Sequence, residues 1–121
     1  MNVGIICKTV LMYRQGEIVL IPYPFTDLSG SKKRPVVIIS KTSINSPDLI
    51  VCKITSRLRG DRFSFRLEDE YLTSPLPFPS EVRTNQLMTI HQNLVVRCLT
   101  SIKRDALSVL LEKIKDNISL E

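Results

Sequence analysis

Lys32-Lys33-Arg34-Pro35 places three cations directly before a proline and an apolar run, Val36-Val37-Ile38-Ile39. The proline fixes its own φ and biases Arg34 toward extended backbone, so the guanidinium is aimed rather than loose. Rigidly held cations suit an anion, and a guanidinium fork suits a phosphate best. Other chemistry is sparse. His91 is the sole histidine; the run Thr89-Ile90-His91-Gln92 reads as a strand end or turn, and the ring as an exposed turn residue rather than an acid–base group. Glu68-Asp69-Glu70 is a candidate all-carboxylate metal site, but a solvated turn explains it better. Cys7, Cys52 and Cys98 are odd in number and show no C-x-x-C pair. Cys52 and Cys98 sit in apolar runs and read as small buried hydrophobes in a reducing setting.

The elements that position Arg34 follow from the hydrophobic pattern. Gly16 to Tyr23 and Pro35 to Ser40 read as two strands, joined through the turn-rich connector Thr26-Asp27-Leu28-Ser29-Gly30-Ser31, with Arg34 at the connector's end. Asp48 to Thr55 is nearly continuous in apolar residues, as a strand buried on both faces is. Ser56 to Arg62 is a basic loop, and Phe63-Ser64-Phe65-Arg66-Leu67 alternates as a half-exposed strand does, with both phenylalanines core-facing. Tyr71 to Pro79 carries three prolines and reads as an extended cover segment. A strand from Ser80 to Asn85 follows, then Leu87 to Ile90 and Leu94 to Leu99 as two short strands or one broken one. From about Lys103 the period turns helical: Ala106, Leu107, Leu110, Leu111, Ile114 and Ile118 share a face, with Ser101 a candidate N-cap. The fold class is mainly β with a C-terminal helix (α+β), and many closely spaced strands favour a small barrel.

Length and charge narrow the partners. At 121 residues the chain makes one domain, because two cores would each be marginal. Hydrophobic residues make up 43% and charged residues 24%, which excludes wholesale disorder. A formal charge of +5 and a pI near 9.3 favour a polyanionic partner. Met1 to Met12 lack the pattern of a signal peptide or membrane span. They read as an N-terminal extension, or as a misassigned start with Met12 as initiator, leaving 13–121 as the domain.

The order G-E-I-V-L-I-P-Y-P-F-T-D…K-K-R-P-V-V-I-I-S, with Lys53-Ile54-Thr55-Ser56 and Pro79-Ser80-Glu81-Val82-Arg83-Thr84-Asn85-Gln86, resembles the MazF/PemK family of toxins over about residues 13 to 114. The resemblance implies an SH3-like barrel and a metal-independent endoribonuclease from a toxin–antitoxin pair, with no cofactor. Such an enzyme lets a 2′-OH attack the neighbouring phosphodiester, so it must manage protons and stabilise charge growing on phosphorus. The family's arginine before the proline is catalytic, which assigns that part to Arg34. A guanidinium is a poor general base, so Arg34 is expected to stabilise the transition state and to be a candidate proton donor. Thr55 matches the second catalytic position by resemblance alone, with Ser56 able to share its task. Some members use an arginine and an aspartate where this chain has Arg83 and Asn85; Asn85 hydrogen-bonds but cannot act as a base. Gln86 reads a base edge or holds the loop. Lys32, Lys33, Arg57 and Arg59, with Arg62 and Arg66, are expected to meet the RNA backbone.

The implied partners are single-stranded RNA, a second copy of the chain, and a cognate antitoxin whose acidic tail is disordered until bound, in a cytoplasmic setting without a membrane. Two other functions share the fold: a CcdB-like poison that binds DNA gyrase without catalysis, and a catalytically silent SH3-like nucleic-acid-binding module. The pair Arg34 and Thr55 favours the nuclease, since neither alternative needs it.

Overall fold

The computed structural model describes residues 13–22 and 32–121. The expected connector from Thr26 to Ser31, the end of the first strand at Tyr23, Cys7 and the extension 1–12 lie outside the described residues. Within them the chain forms β1 (Glu17–Pro22), β2 (Lys33–Ile38), β3 (Asp48–Thr55), β4 (Ser64–Arg66), β5 (Glu81–His91), β6 (Arg97–Ser101) and α1 (Arg104–Asp116). Single-turn 3-10 helices fall at Thr42–Ile44, Asp69–Tyr71 and Gln92–Leu94. One antiparallel sheet holds all six strands in the order β4-β5-β3-β2-β1-β6. The two ends do not meet, so this is a half-barrel with a C-terminal helix, as the mainly β, SH3-like expectation requires.

The continuous apolar runs of β1, β2 and β3 have a simple cause. Successive side chains point to opposite faces of a strand, and here both faces are covered. Ile18, Val37, Cys52, Ile54 and Val82 pack on one face against Ala106, Leu107, Leu110 and Ile114 of α1. Their sequence neighbours Val19, Val36 and Val51 turn to the other face, where Ile21, Ile38, Leu49 and Ile90 join them. Among the described residues no helix packs on that second core. Tyr13, Met88 and Val95 pack against it as partly buried neighbours. Each fully buried aliphatic contributes about 1.5–3 kcal/mol, which favours the nearly unbroken apolar runs of these strands.

Several boundaries differ from those the sequence suggests. The two strands expected over Ser80–Asn85 and Leu87–Ile90 are one strand, β5. Its pairing with β3 jumps from Cys52↔Leu87 to Ile54↔Val82, so five steps on β5 answer two on β3. This bulge absorbs the polar residues that look like a strand end. It is held by hydrogen bonds from Cys52 Sγ to Arg83 O (3.0 Å) and from Thr84 N to Phe63 O (2.9 Å). The last strand runs Arg97–Ser101 rather than Leu94–Leu99, because Gln92–Leu94 forms a turn capped by His91, whose Nδ1 accepts from Asn93 N at 3.1 Å. Ser101 therefore belongs to β6, and the residue before α1 is Lys103, whose N–H donates to Tyr71 O at 2.7 Å. Ile118 lies past the helix end and is 76% exposed. Cys52 is buried as expected, and burial pushes its thiol pKa up to about 12. Cys98 is exposed, because edge strand β6 turns it outward.

The proline-rich stretch Pro75–Pro79 has no regular structure and crosses the end of the sheet. Thr73 N–H donates to Ser101 O (2.9 Å), and the Thr100 hydroxyl donates to Ser74 O (2.7 Å). These bonds pin the strap to β6.

Candidate active site

Arg34 lies inside β2, not in a loop, and is half-buried opposite Ile21 of β1. On its other side β2 pairs with β3 through Val36↔Lys53, Val37↔Cys52 and Ile38↔Val51. Continuing that register by two residues sets Arg34 opposite Thr55. The ladder stops before reaching them, and Pro35 explains the stop. Ile38 O accepts from Gly16 on the β1 side (2.7 Å), while Ile39 N donates to Ile50 O on the β3 side (2.9 Å). Main-chain groups alternate sides along a strand, so residue 35 should donate toward β3. Proline has no N–H to donate. The β2–β3 pairing therefore ends at Val36↔Lys53, short of Arg34 and Thr55.

A cleft of about 480 Å³ occupies this opening. Leu20, Pro35, Ile54 and Leu99 make its apolar lining, Lys33, Arg34, Thr55, Ser56 and Arg97 its polar lining, and Pro75 to Phe78 with Ser80 one wall. Thr55 Oγ1 accepts the N–H of Arg57 at 3.0 Å. One lone pair is thus engaged and the hydroxyl hydrogen is left to donate. A guanidinium fork and an oriented hydroxyl converging on a cationic cleft form a binding arrangement for a tetrahedral oxyanion.

Four of the residues singled out in the sequence, Lys33, Arg34, Thr55 and Ser56, come together here. Lys32, Arg57 and Arg59 are exposed outside the cleft lining, as are Asn85 and Gln86 on the β5 bulge. Arg83 goes elsewhere. It is 5% exposed and grips Asp61 through two parallel bonds of 3.0 Å, with Nη1 also 2.7 Å from Glu81 Oε2 and 2.9 Å from Ser64 Oγ. With its fork so engaged, Arg83 holds the basic loop in place rather than meeting a ligand. The hydrogen bond from Arg83 pulls the Asp61 pKa from 3.8 down to about 2. Of the two expected core phenylalanines, Phe65 is buried beside the Tyr71 ring at 5.9 Å. Phe63 is half-buried, with the Arg62 guanidinium 5.1 Å from its ring centre.

Glu81 pairs with Thr55 across β3 and β5 and is the carboxylate nearest the site in register, yet its environment unfits it as a base. Burial alone would raise its pKa. Hydrogen bonds from Ser64, Arg83 and the Gly60 and Arg59 amides outweigh that and hold it below the ordinary value. His91 pairs with Asp48 at the far end of β3, seven residues from Thr55, or roughly 23 Å at a strand's rise. It is out of reach. Among the described residues no group of three His, Cys, Asp or Glu side chains is arranged to hold a metal ion.

Two cleft residues and one neighbour of the site in register escaped the sequence reading. Arg97 is aligned with Leu20 and, through it, with Pro35; the available signal was a cation interrupting the run Leu94–Leu99. Phe78 is a lone aromatic between prolines. Glu81 looks like any strand-opening acid until its partners are seen.

The sequence profile of a family described as PemK-like, MazF-like toxin of type II toxin–antitoxin system matches residues 14–118. No curated protein matches in sequence. Among solved structures, a MazE–MazF complex from Deinococcus radiodurans aligns with a TM-score of 0.73 at 18% identity, over 91% of this chain and 99% of that one. An endoribonuclease from a mycobacterial species aligns at 0.71 and 14% identity, over 90% and 93%. The Mycobacterium tuberculosis toxin MazF-mt6 aligns at 0.69 and 21% identity, over 87% and 98%.

Proposed function

Because the chain belongs to the PemK-like, MazF-like toxins of type II toxin–antitoxin systems, we propose that it is a metal-independent endoribonuclease cutting single-stranded RNA at the Arg34–Thr55 cleft. The observation that supports this reading is that Arg34 and Thr55, from neighbouring strands β2 and β3, line one cleft. Only an unpaired strand can present its phosphate there with bases splayed aside.

In this reaction the 2′ oxygen forms a bond to phosphorus and the bond from phosphorus to the 5′ oxygen breaks. The products are a 2′,3′-cyclic phosphate and a 5′ hydroxyl. Arg34 stabilises the added negative charge with its fork, and Thr55 donates one hydrogen bond to a non-bridging oxygen. Arg34 is also the candidate hydrogen-bond and proton donor to the leaving oxygen. Neither residue takes the 2′ proton, since a guanidinium is already fully protonated and a neutral hydroxyl is too weak a base, so that proton leaves to solvent water.

Two partners accompany the proposal. A second copy of the chain would extend the basic cleft into a longer groove. A cognate antitoxin would cover it with an acidic segment, as charge complementarity favours; the structurally similar Deinococcus toxin was solved with MazE. A cytoplasmic, thiol-reducing setting agrees with the unpaired Cys52 and Cys98. Among the described residues no helix is long and apolar enough to cross a membrane.

The test is single-turnover cleavage of single-stranded RNA in EDTA by the wild type and Arg34→Ala, with melting curves on both. Cleavage by the wild type and a loss of roughly 10²–10³-fold in the variant are expected. A folded Arg34→Ala protein cutting at the wild-type rate would return Arg34 to the role of a surface cation.

A further inference from the structure

Phe78 is 68% exposed, and its backbone has little freedom. Pro77 and Pro79 flank it; the first has a fixed φ and the second holds Phe78 extended. The strap that carries it is fastened to β6 through Thr100 at one end. At the other end Ser80 O accepts from Leu67 N (3.0 Å), and the Ser80 hydroxyl donates to Phe78 O (2.9 Å). Phe78 is also the sole aromatic among the described residues lining the cleft that holds Arg34 and Thr55. The backbone that carries Phe78 is fixed beside the anion site while its phenyl stays exposed. A flat ligand supplies the missing contact.

We propose that Phe78 is the platform on which a nucleobase next to the scissile phosphate stacks, and hence that the proline strap helps choose the nucleotide at that position. The proposal rests on the RNA-cleavage reading above. A base adjoining a phosphate held at Arg34 has to leave the cleft floor, and the phenyl face on the wall lies in its path. Base–aromatic stacking tolerates any base but favours the larger purines, so its removal should weaken binding by roughly tenfold to a hundredfold. The chemical step should stay as it is, because Phe78 touches no reacting atom.

The chain contains no tryptophan, so Phe78→Trp gives a single reporter at the proposed platform. Wild type, Phe78→Leu and Phe78→Trp are titrated with short mixed-sequence single-stranded RNA, and cleavage is followed in EDTA. Upholding the proposal requires quenching of the tryptophan by RNA, a KM raised tenfold or more in Phe78→Leu at unchanged kcat, and recovery in Phe78→Trp. Melting temperatures should coincide, since the ring is exposed. A wild type that cuts RNA, with Phe78→Leu equal to it or the tryptophan indifferent to RNA, overturns the platform and leaves the nuclease standing. A wild type that fails to cut, with the tryptophan still quenched and binding weakened in Phe78→Leu, keeps the platform and removes the nuclease. Protein that neither cuts nor binds RNA removes both. If Phe78→Leu weakens only the binding of an acidic peptide, the ring is a protein-docking residue and the proposal falls.

Discussion

Thr55 and Arg34 are separable at the level of single atoms. Thr55→Val removes the hydroxyl that accepts from Arg57 while keeping the β-branch that suits a strand, and should lower the cleavage rate tenfold to a hundredfold. Thr55→Ser keeps the hydroxyl and should stay within a few-fold of wild type; equal losses in both variants would show that shape, not the hydroxyl, is what matters. Arg34→Lys keeps the charge without the fork and should recover only a minor part of what Arg34→Ala loses, measured as kcat in single turnover. A loop arginine would cost no stability when removed. Arg34 is half-buried in β2, so Arg34→Ala is expected to cost about 1 kcal/mol in urea unfolding. At this scale the sequence was partly legible. Pro35 betrays Arg34 because its constraint is local. Thr55 carries no local signature and could be named only by resemblance. Arg83 looks like a ligand-binding arginine because nothing in the linear order shows that Asp61 and Glu81 will fold onto it.

The elements that hold the site depend on that ion cluster and on one glycine. Arg83→Met leaves Glu81, 2% exposed, without its partner, and should destabilise by about 3–5 kcal/mol in urea unfolding. Adding Glu81→Gln should restore part of that loss. If the single and double variants are equally unstable, burial of Glu81 is not the cause. Asp61 gives the cluster an acid limit. Its folded pKa lies below its ordinary value, so its stabilisation is complete above pH about 4 and fades as pH falls toward about 2. Asp61→Asn should flatten that limb of the stability curve and leave the neutral region parallel to wild type. Gly16 opens β1 at φ +96, and an added Cβ would meet Leu107 Cδ2 at 3.0 Å. Gly16→Ala should therefore cost roughly 1–3 kcal/mol, seen as a lowered melting temperature. The strands of this layer were legible wherever both faces are buried, because an unbroken apolar run of strand length is stable only with cover on both sides. The β5 bulge was not, since its polar residues are answered by β3, β4 and the end of α1, all distant in sequence. The helix face was read correctly up to Ile114; Ile118 continued the period past the point where the sheet ends.

For the molecule as a whole, Ile50 and Leu87 leave apolar surface on neighbouring strands, 37% and 41% exposed. Pairing of two copies should show in sedimentation at micromolar concentration as a species of twice 13.8 kDa; a monomer throughout would defeat the shared-groove proposal. RNA affinity should fall steeply with added salt, because phosphate contacts release counterions. The distribution of charge refines that expectation. Arg83, Glu81 and Asp61 sum to −1 and are tied to one another. Removing that −1 from the formal +5 leaves +6 on the rest of the chain, so these acids are already tied to Arg83 and the remaining cations carry the binding. Of these three, Glu81 and Arg83 are buried away from any visiting polyanion, while Asp61 stays exposed. RNA and an acidic antitoxin segment would then compete for the same peripheral cations, and salt would weaken both by the same mechanism. Each affinity would depend strongly on ionic strength while the choice between them would not, making the toxin's on–off balance insensitive to the osmotic state of its cell.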